Sequence, residues 1–284
     1  MQACLPPSLM PFVQRLQTVY SRQAIERVVK PPTHPALKQI ILDPAYPMRA
    51  AGLTPDPWQE ELIRCQSRQI AVLCTRRAGK SRTAAARVLA RCLTKNNFQV
   101  LVFSPTEDQS KEFLNYVREM NEEIECPVPL IRESMSELAW ENGSRVKAKA
   151  DSPRGSRGFT PNLIVVDEGA QVSDELYLSI KPMMALGNAE MMILSTPFGK
   201  GGWFFDIWDD HEKLERWQQF KVTAYECPRI NADVLEEHRQ TMPPRWFNQE
   251  YLCEFNDAID SVFSRDVIER ASKIDDAYLP LELN

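Results

Sequence analysis

Histidine is nearly absent from this chain. Only His34, His211 and His238 occur, and their spacing offers no shared metal ligand set, so no structural zinc is expected. The seven cysteines, at positions 4, 65, 74, 92, 126, 227 and 253, include no Cys-x-x-Cys and sit mostly among apolar neighbours. That usage suits a reducing compartment rather than a disulfide scaffold. No run approaches the ~20 consecutive apolar residues that a membrane span requires, and the N-terminus has no apolar core followed by a small-residue cleavage site. Neither membrane insertion nor secretion is expected. Positive charge is not in surplus either. A formal net charge of −5 argues against a protein that coats nucleic acid over its whole surface, so any such contact would be local and weakened by salt.

What is present is an ordinary globular composition. Apolar residues make up 43% and charged residues 26% of 284, enough for one large domain with appendages or two modest ones. The chain is organised around Val72-Leu73-Cys74-Thr75-Arg76-Arg77-Ala78-Gly79-Lys80-Ser81-Arg82-Thr83, an apolar run that passes through Gly-Lys-Ser into helix-forming residues. In a phosphate-binding loop of the form G-x-x-x-x-G-K-[ST], backbone N–H groups wrap the phosphates. The Lys reaches the β and γ oxygens, and the hydroxyl holds Mg2+. Gly79, Lys80 and Ser81 are in place, but Cys74 stands where the first Gly belongs. On this stretch alone, an unrelated helix start remains the alternative.

A nucleotide hydrolase also needs an acidic strand end. Asn162-Leu163-Ile164-Val165-Val166 is short and apolar, as in a strand buried on both faces of a parallel sheet, and it leads into Asp167-Glu168. Either Asp167 sits in the outer shell of a metal with Glu168 activating water, or the two carboxylates cap the following helix. Their occurrence beside Lys80-Ser81 in one chain favours the first. A third apolar run, Met191-Met192-Ile193-Leu194, ends in Ser195-Thr196-Pro197. Hydroxyls there lie where α/β sheets bind ligands, or they begin a turn.

Taken in order, Leu9, Phe12, Val13, Leu16, Val19 and Tyr20 recur near helical spacing and predict an N-terminal helix that stops at Pro31-Pro32. Residues 31–57 are rich in proline and predict an extended connection. Trp58 to Cys65 predicts a short helix, with Trp58 either near a nucleotide base or in the core. Beyond the loop, a helix over about Gly79 to Leu93, a strand from Gln99 to Phe103 and an amphipathic helix through Glu123 argue for a parallel sheet with right-handed crossovers. Ser104-Pro105-Thr106 reads as a strand-end turn. Asn142-Gly143 between alternating runs predicts a hairpin. Arg145, Lys147 and Lys149 then share one strand face, as either a phosphate-contacting or a solvated edge. Asp151 to Phe159 reads as a basic, glycine-containing loop. Trp203, Phe204, Phe205 and Trp208 cluster at helical spacing, as core or as a stacking surface. Residues 217–223 read as a strand, and Ala232 to Tyr251 as a helical pair split at Met242-Pro243-Pro244.

In this order and spacing the motifs resemble the ATPase domain of a large terminase subunit, the motor that packages DNA into the heads of tailed bacteriophages and related viruses. That family commonly has a deviant phosphate loop with an early Arg and no first Gly, as in Thr75 to Ser81. It also has an apolar strand ending Asp-Glu, matched by Ile164 to Glu168, a coupling motif matched by Ser195-Thr196, and an adenine-binding Gln matched by Gln59 in Pro57-Trp58-Gln59-Glu60. The likeness runs from roughly Pro55 to Phe255. It implies an α/β P-loop NTPase, ASCE/RecA-like, with a mostly parallel central sheet flanked by helices and an N-terminal helical segment.

The resemblance implies ATP and Mg2+ as cofactors. Gln59 would meet the adenine, and Arg77, Ala78, Gly79, Lys80, Ser81 and Arg82 would surround the phosphates. Ser81 and Asp167 would hold the metal and Glu168 would orient water. Arg76 would act on the γ-phosphate of its own subunit, and Arg157, in an Arg-Gly pair, on the ATP of a neighbouring one. Arg154 stands in a similar pair as the alternative. The implied partners are double-stranded DNA, a portal protein, the small terminase subunit and further copies of the chain in a ring, a pentamer, in the cytoplasm of the host cell. The implied division is an N-terminal helix and connection over 1–57, the ATPase domain over 58–256, and a tail or linker over 257–284.

Large terminase subunits usually continue into an RNase H-like nuclease whose clustered carboxylates hold two metals. Asp257, Asp260, Asp266, Asp275 and Asp276 have no strand framework to gather them, so DNA cleavage is not expected from this chain. The rival among enzymes is a nucleic-acid helicase or remodelling ATPase, which usually keeps the first loop Gly and carries further helicase motifs. The rival from another class is a nucleotide-binding assembly module with little turnover. Glu168 speaks against it, because binding alone requires no water-activating carboxylate.

Overall fold

Short apolar runs set the architecture. A computed structural model describes residues 34–152, 159–185, 189–209 and 216–256. Among them, β1 (Gln69–Cys74), β2 (Gln99–Ser104), β3 (Leu130–Glu133), β4 (Glu137–Trp140), β5 (Arg145–Ala150), β6 (Leu163–Asp167), β7 (Glu190–Ser195) and β8 (Gln218–Val222) form one eight-stranded sheet. Its order is β3-β4-β5-β2-β6-β7-β1-β8. All pairings are parallel except β3 with β4 and β4 with β5. This is the mostly parallel α/β sheet that the motifs imply. The hairpin expected at Asn142-Gly143 joins β4 to β5. Gly143 has φ +82°, and a Cβ there would fall 2.1 Å from Asn97 Oδ1, so the turn favours glycine and a side chain would have to displace Asn97.

The central strands are apolar on both faces because helices cover both. Val72, Val100, Val102, Val165, Met192 and Leu194 face α4 (Lys80–Thr94) and α5 (Glu107–Glu123). Leu73, Leu101, Phe103, Ile164, Val166 and Ile193 face α6 (Asp174–Ala185) and α7 (Gly202–Asp209). Burying one residue from each half of this alternation against a different layer is what pins the strand register.

Residues 34–57 differ from the expected extended connection. They form α1 (Pro35–Leu42) and α2 (Tyr46–Ala50), whose Ala36, Ile40 and Met48 join the core beneath α4 and α5. The prolines misled because Pro35 and Pro47 occupy first-turn positions, where a missing N–H costs nothing and the fixed φ suits a helix. The next helix, α3 (Pro57–Arg64), starts the same way. α8 (Ala232–Thr241) and α9 (Pro244–Leu252) split at Met242-Pro243 as expected. The sequence reading had no element for α6 or β3.

The basic face of β5 is not an edge of either expected kind, because β5 lies between β4 and β2. Arg145 and Lys147 stand over the Phe159 ring at 4.8 and 5.9 Å, with Glu137 at 3.6 and 3.9 Å. Trp203, Phe204 and Phe205 are buried core. Among the described residues no helix is long and apolar enough to cross a membrane. The N-terminal helix expected before Pro31 and the tail beyond 256 lie outside the described residues.

Candidate nucleotide site

The loop between β1 and α4 owes its shape to two left-handed residues. Gly79, with φ +84° and ψ +23°, turns the chain directly into α4, and Arg77 adopts φ +61° ahead of it. The helix start that follows points its free N–H groups at the space above the strand ends. Cys74, at the position of the missing first glycine, is the last residue of β1, fully buried and paired in register with Val222. Burial pushes its thiol strongly upward in pKa, so it is an inert wall.

The carboxyl ends of β1 and β6 are separated by β7, so Lys80 and Glu168 start about two strand spacings apart, roughly 10 Å. Their side chains close that gap. Lys80 Nζ lies 2.6 Å from Glu168 Oε1, and both side chains are largely buried. Burial alone would lower the lysine pKa, but the charges of Glu168 and Asp167 outweigh it and the net displacement is upward. Asp167 is buried beside the pair. Its carboxyl accepts the Glu168 N–H at 3.2 Å, and the neighbouring Ser81 side chain also favours its charged form. Burial pushes Asp167 up to about 6, Lys80 opposes this and the Glu168 charge adds to it. Glu168 itself sits in a left-handed conformation, φ +54°, and its Oε2 is sealed from solvent without a hydrogen-bond partner. Backbone strain and an unpaired carboxylate oxygen at one residue mark a position shaped by function rather than by stability.

Ser195, at the end of β7, is fully buried and its Oγ accepts the Ala170 N–H at 3.1 Å, two residues past Glu168. Thr196 is half-buried beside it. Of the two hydroxyls read from the sequence as a coupling motif, that of Ser195 holds the segment that follows the acidic strand. Gly169 is required there, since a Cβ would fall 2.6 Å from Ile193.

Gln59 is brought to the loop, but fully buried. Its Oε1 accepts the Asp56 N–H at 2.8 Å and its Nε2 donates to the Ala78 carbonyl at 3.2 Å. Here it holds the loop in place. Trp58 packs against the core. Arg76 is 74% exposed, with Glu250 3.6 Å away. Arg77 is exposed. Arg82 turns away from the loop to Glu119, at 2.9 Å, and lies over the Tyr116 ring. Its main-chain N–H, not its side chain, remains available to phosphate. Arg157 and Arg154 lie outside the described residues.

Sequence reasoning missed the groups that brace the loop from far along the chain. Arg229 Nη2 donates to the Ala78 carbonyl at 2.7 Å and to Asp56 Oδ2 at 2.8 Å. A peptide's C=O and N–H point in opposite directions, so two donors on the Ala78 carbonyl aim the Gly79 N–H into the loop. The Thr75 hydroxyl and the Arg76 N–H both donate to the Glu250 carbonyl near the end of α9, at 2.7 and 3.4 Å. A lone arginine after Cys227-Pro228 and a glutamate inside a polar helix carry no local signal of either role. A separate cleft of about 650 Å³, lined by Gln69, Tyr177, Lys181, Met191, Trp203 and Trp217, lies toward the opposite ends of the strands and shares none of these groups.

Known proteins match this chain in sequence and in fold. The family model described as terminase large subunit, T4likevirus-type, N-terminal, matches residues 72–270. The large terminase subunit of Escherichia phage T5 is 26% identical over 234 residues, covering 79% of this chain and 52% of the phage protein. The chain thus spans about half the length of the curated relatives it matches. Among solved structures, the large terminase ATPase domain of Thermus phage P74-26 superposes with a TM-score of 0.63 at 20% identity, covering 74% of this chain and 97% of that one. A large terminase from a thermophilic bacteriophage, solved in complex with ADP, gives 0.60 at 13% identity, covering 71% of this chain and 54% of that one.

Proposed function

Since the chain belongs to the terminase large subunit family, we propose that residues 34–256 form the ATP-hydrolysing part of a motor that drives double-stranded DNA into a procapsid. The observation that carries this reading is the convergence of Lys80, Ser81, Asp167 and Glu168 from the carboxyl ends of β1 and β6, across β7, with Lys80 2.6 Å from Glu168. In this arrangement the phosphate-binding lysine and the water-orienting carboxylate neutralise each other. A triphosphate entering the loop would compete for Lys80 and release Glu168 to accept a hydrogen bond from the attacking water.

The site fits Mg2+. Its donors are a hydroxyl and carboxylates, the hard oxygen set that this ion prefers, and Asp167 is a buried carboxylate whose ionisation a cation would favour. Ser81 and Asp167 would hold the ion, which when bound neutralises charge on the β,γ-phosphate oxygens. Arg76 would leave Glu250 for the γ-phosphate of its own subunit. Arg157 would reach the ATP of a neighbour in a ring, a pentamer in this reading, assembled on a portal protein with the small terminase subunit in the host cytoplasm. An arginine so placed contributes on the order of 10³ to 10⁵ in rate in related phosphoryl-transfer enzymes.

The test is ATP hydrolysis by the parent chain and by Glu168→Gln, with and without DNA. Glu168→Gln should bind ATP and lose turnover by at least about a hundredfold. Binding with no turnover in the parent under any condition would favour an assembly module. Strand separation would favour a helicase.

A further inference from the structure

The last residue of β2 is an odd one. Among the described residues, Ser104 is a fully buried serine whose Oγ is sealed from solvent and has no hydrogen-bond partner. Isolating a hydroxyl costs free energy unless another state of the molecule uses it. Its location says which state. β2 and β6 pair Val102 with Val165 and Phe103 with Val166, so the next pair outward is Ser104 with Asp167. Val102 and Val165 both face the α4 and α5 layer. One pleat further, with the period of two that governs a strand, Ser104 and Asp167 project to that same face from adjacent strands about 4.8 Å apart. α4 enters there with Ser81, whose side chain neighbours Asp167.

We propose that Ser104 is a positioning residue for the divalent cation, supplying a hydrogen bond to the water shell that Asp167 orders around it. The inference rests on the nucleotide reading above and deepens it. Mg2+ keeps several waters when it binds between a protein and phosphates, and each needs an oriented partner. Asp167 and the Ser81 hydroxyl occupy two directions around that position, and Ser104 supplies the next along the row of strand ends. A role of that kind explains why a polar side chain stands where an alanine would fill the space.

The experiment measures ADP affinity in Mg2+ and in EDTA, together with the melting temperature of the nucleotide-free chain, for the parent and for Ser104→Ala. The ratio of the two dissociation constants isolates what the cation adds to binding. Ser104→Ala should reduce this ratio by about tenfold, leave affinity in EDTA unchanged, and melt at or above the parent temperature because an unpaired buried hydroxyl has gone. A ratio equal to the parent's overturns the proposal, whether or not the melting temperature moves. Ser104→Cys, which keeps the volume with a far weaker donor, serves if the alanine variant does not fold, and the same two results decide. A parent chain that binds no ADP in either buffer overturns the nucleotide reading itself, and this proposal with it.

Discussion

At the scale of single residues, burial of Asp167 carries a cost that depends on pH. Unfolded, its carboxyl titrates near 3.8, whereas burial holds it at about 6 in the folded chain. A carboxyl raised on folding is more easily ionised in the unfolded state. The penalty is therefore absent below about pH 4, grows as pH rises, and is complete above about pH 6. That separation is on the order of 2–3 kcal/mol. Asp167→Asn should accordingly raise the melting temperature of the chain in EDTA at pH 7.5, and the gain should vanish at pH 4. Thermal melts across that range check it, and an equal gain at both ends refutes the cause. Arg229 acts in the other direction. Arg229→Ala removes a charge-assisted bond to the Ala78 carbonyl and leaves the buried Asp56 unpaired, a loss of about 1.5–3 kcal/mol. ADP binding by calorimetry should weaken by about tenfold, with Arg229→Lys restoring part of the loss, because a single nitrogen, Nη2, serves both acceptors and an ammonium also carries several donors.

Among elements, the loop helix and the helix carrying Gln59 are locked by one buried side chain. Arg87 of α4 donates from Nη1 to the carbonyls of Leu62, Ile63 and Cys65, at 3.0, 2.9 and 2.6 Å. The Leu62 carbonyl also takes the Cys65 N–H, and the other two are carbonyls a helix end leaves unsatisfied, so Arg87 completes the carboxyl end of α3 from another element. Arg87 and Arg91 share Glu190 at the start of β7. Burial draws Arg87 down to about 10, the neighbouring Arg91 charge adds to this, and Glu190 opposes it. Arg87→Met should cost about 3 kcal/mol, because it strands the Ile63 and Cys65 carbonyls, while Glu190 keeps Arg91. Urea titration checks the stability, and a loss below about 1 kcal/mol would show that the clamp is not structural.

For the whole molecule, the strand order matters most. β7 lies between the strand that feeds the phosphate loop and the strand that carries Asp167, and its last residue, Ser195, holds the Ala170 N–H in the segment that packs against α7. α7 is tied to the same region by Trp203, whose backbone N–H donates to Asp174 and whose indole donates to the Val172 carbonyl. Ser195→Ala should leave ADP affinity within about twofold while lowering kcat by roughly fivefold to tenfold, the effect of losing about 1 kcal/mol of anchoring in the active arrangement. Steady-state kinetics beside ADP titration tests this. A rise in KM with kcat unchanged would assign Ser195 to binding instead.

The amino-acid sequence by itself determined the chemistry and most of the scaffold. Gly79-Lys80-Ser81, Asp167-Glu168 and Ser195-Thr196 each follow a local apolar strand, and strand periodicity and helix starts are written in neighbouring residues. Proline was the exception, read as a break at Pro35 and Pro47, where it begins a helix. Tertiary structure alone decided that β7 enters between β1 and β6, that Lys80 rests on Glu168, that Arg229 and Glu250 brace the loop, and that Ser104 stands one strand from Asp167. Those contacts join residues far apart along the chain through single hydrogen bonds or one strand spacing. An interaction of that kind imposes no periodicity and no composition on the residues around it, so it becomes legible only once the sheet has brought its ends together.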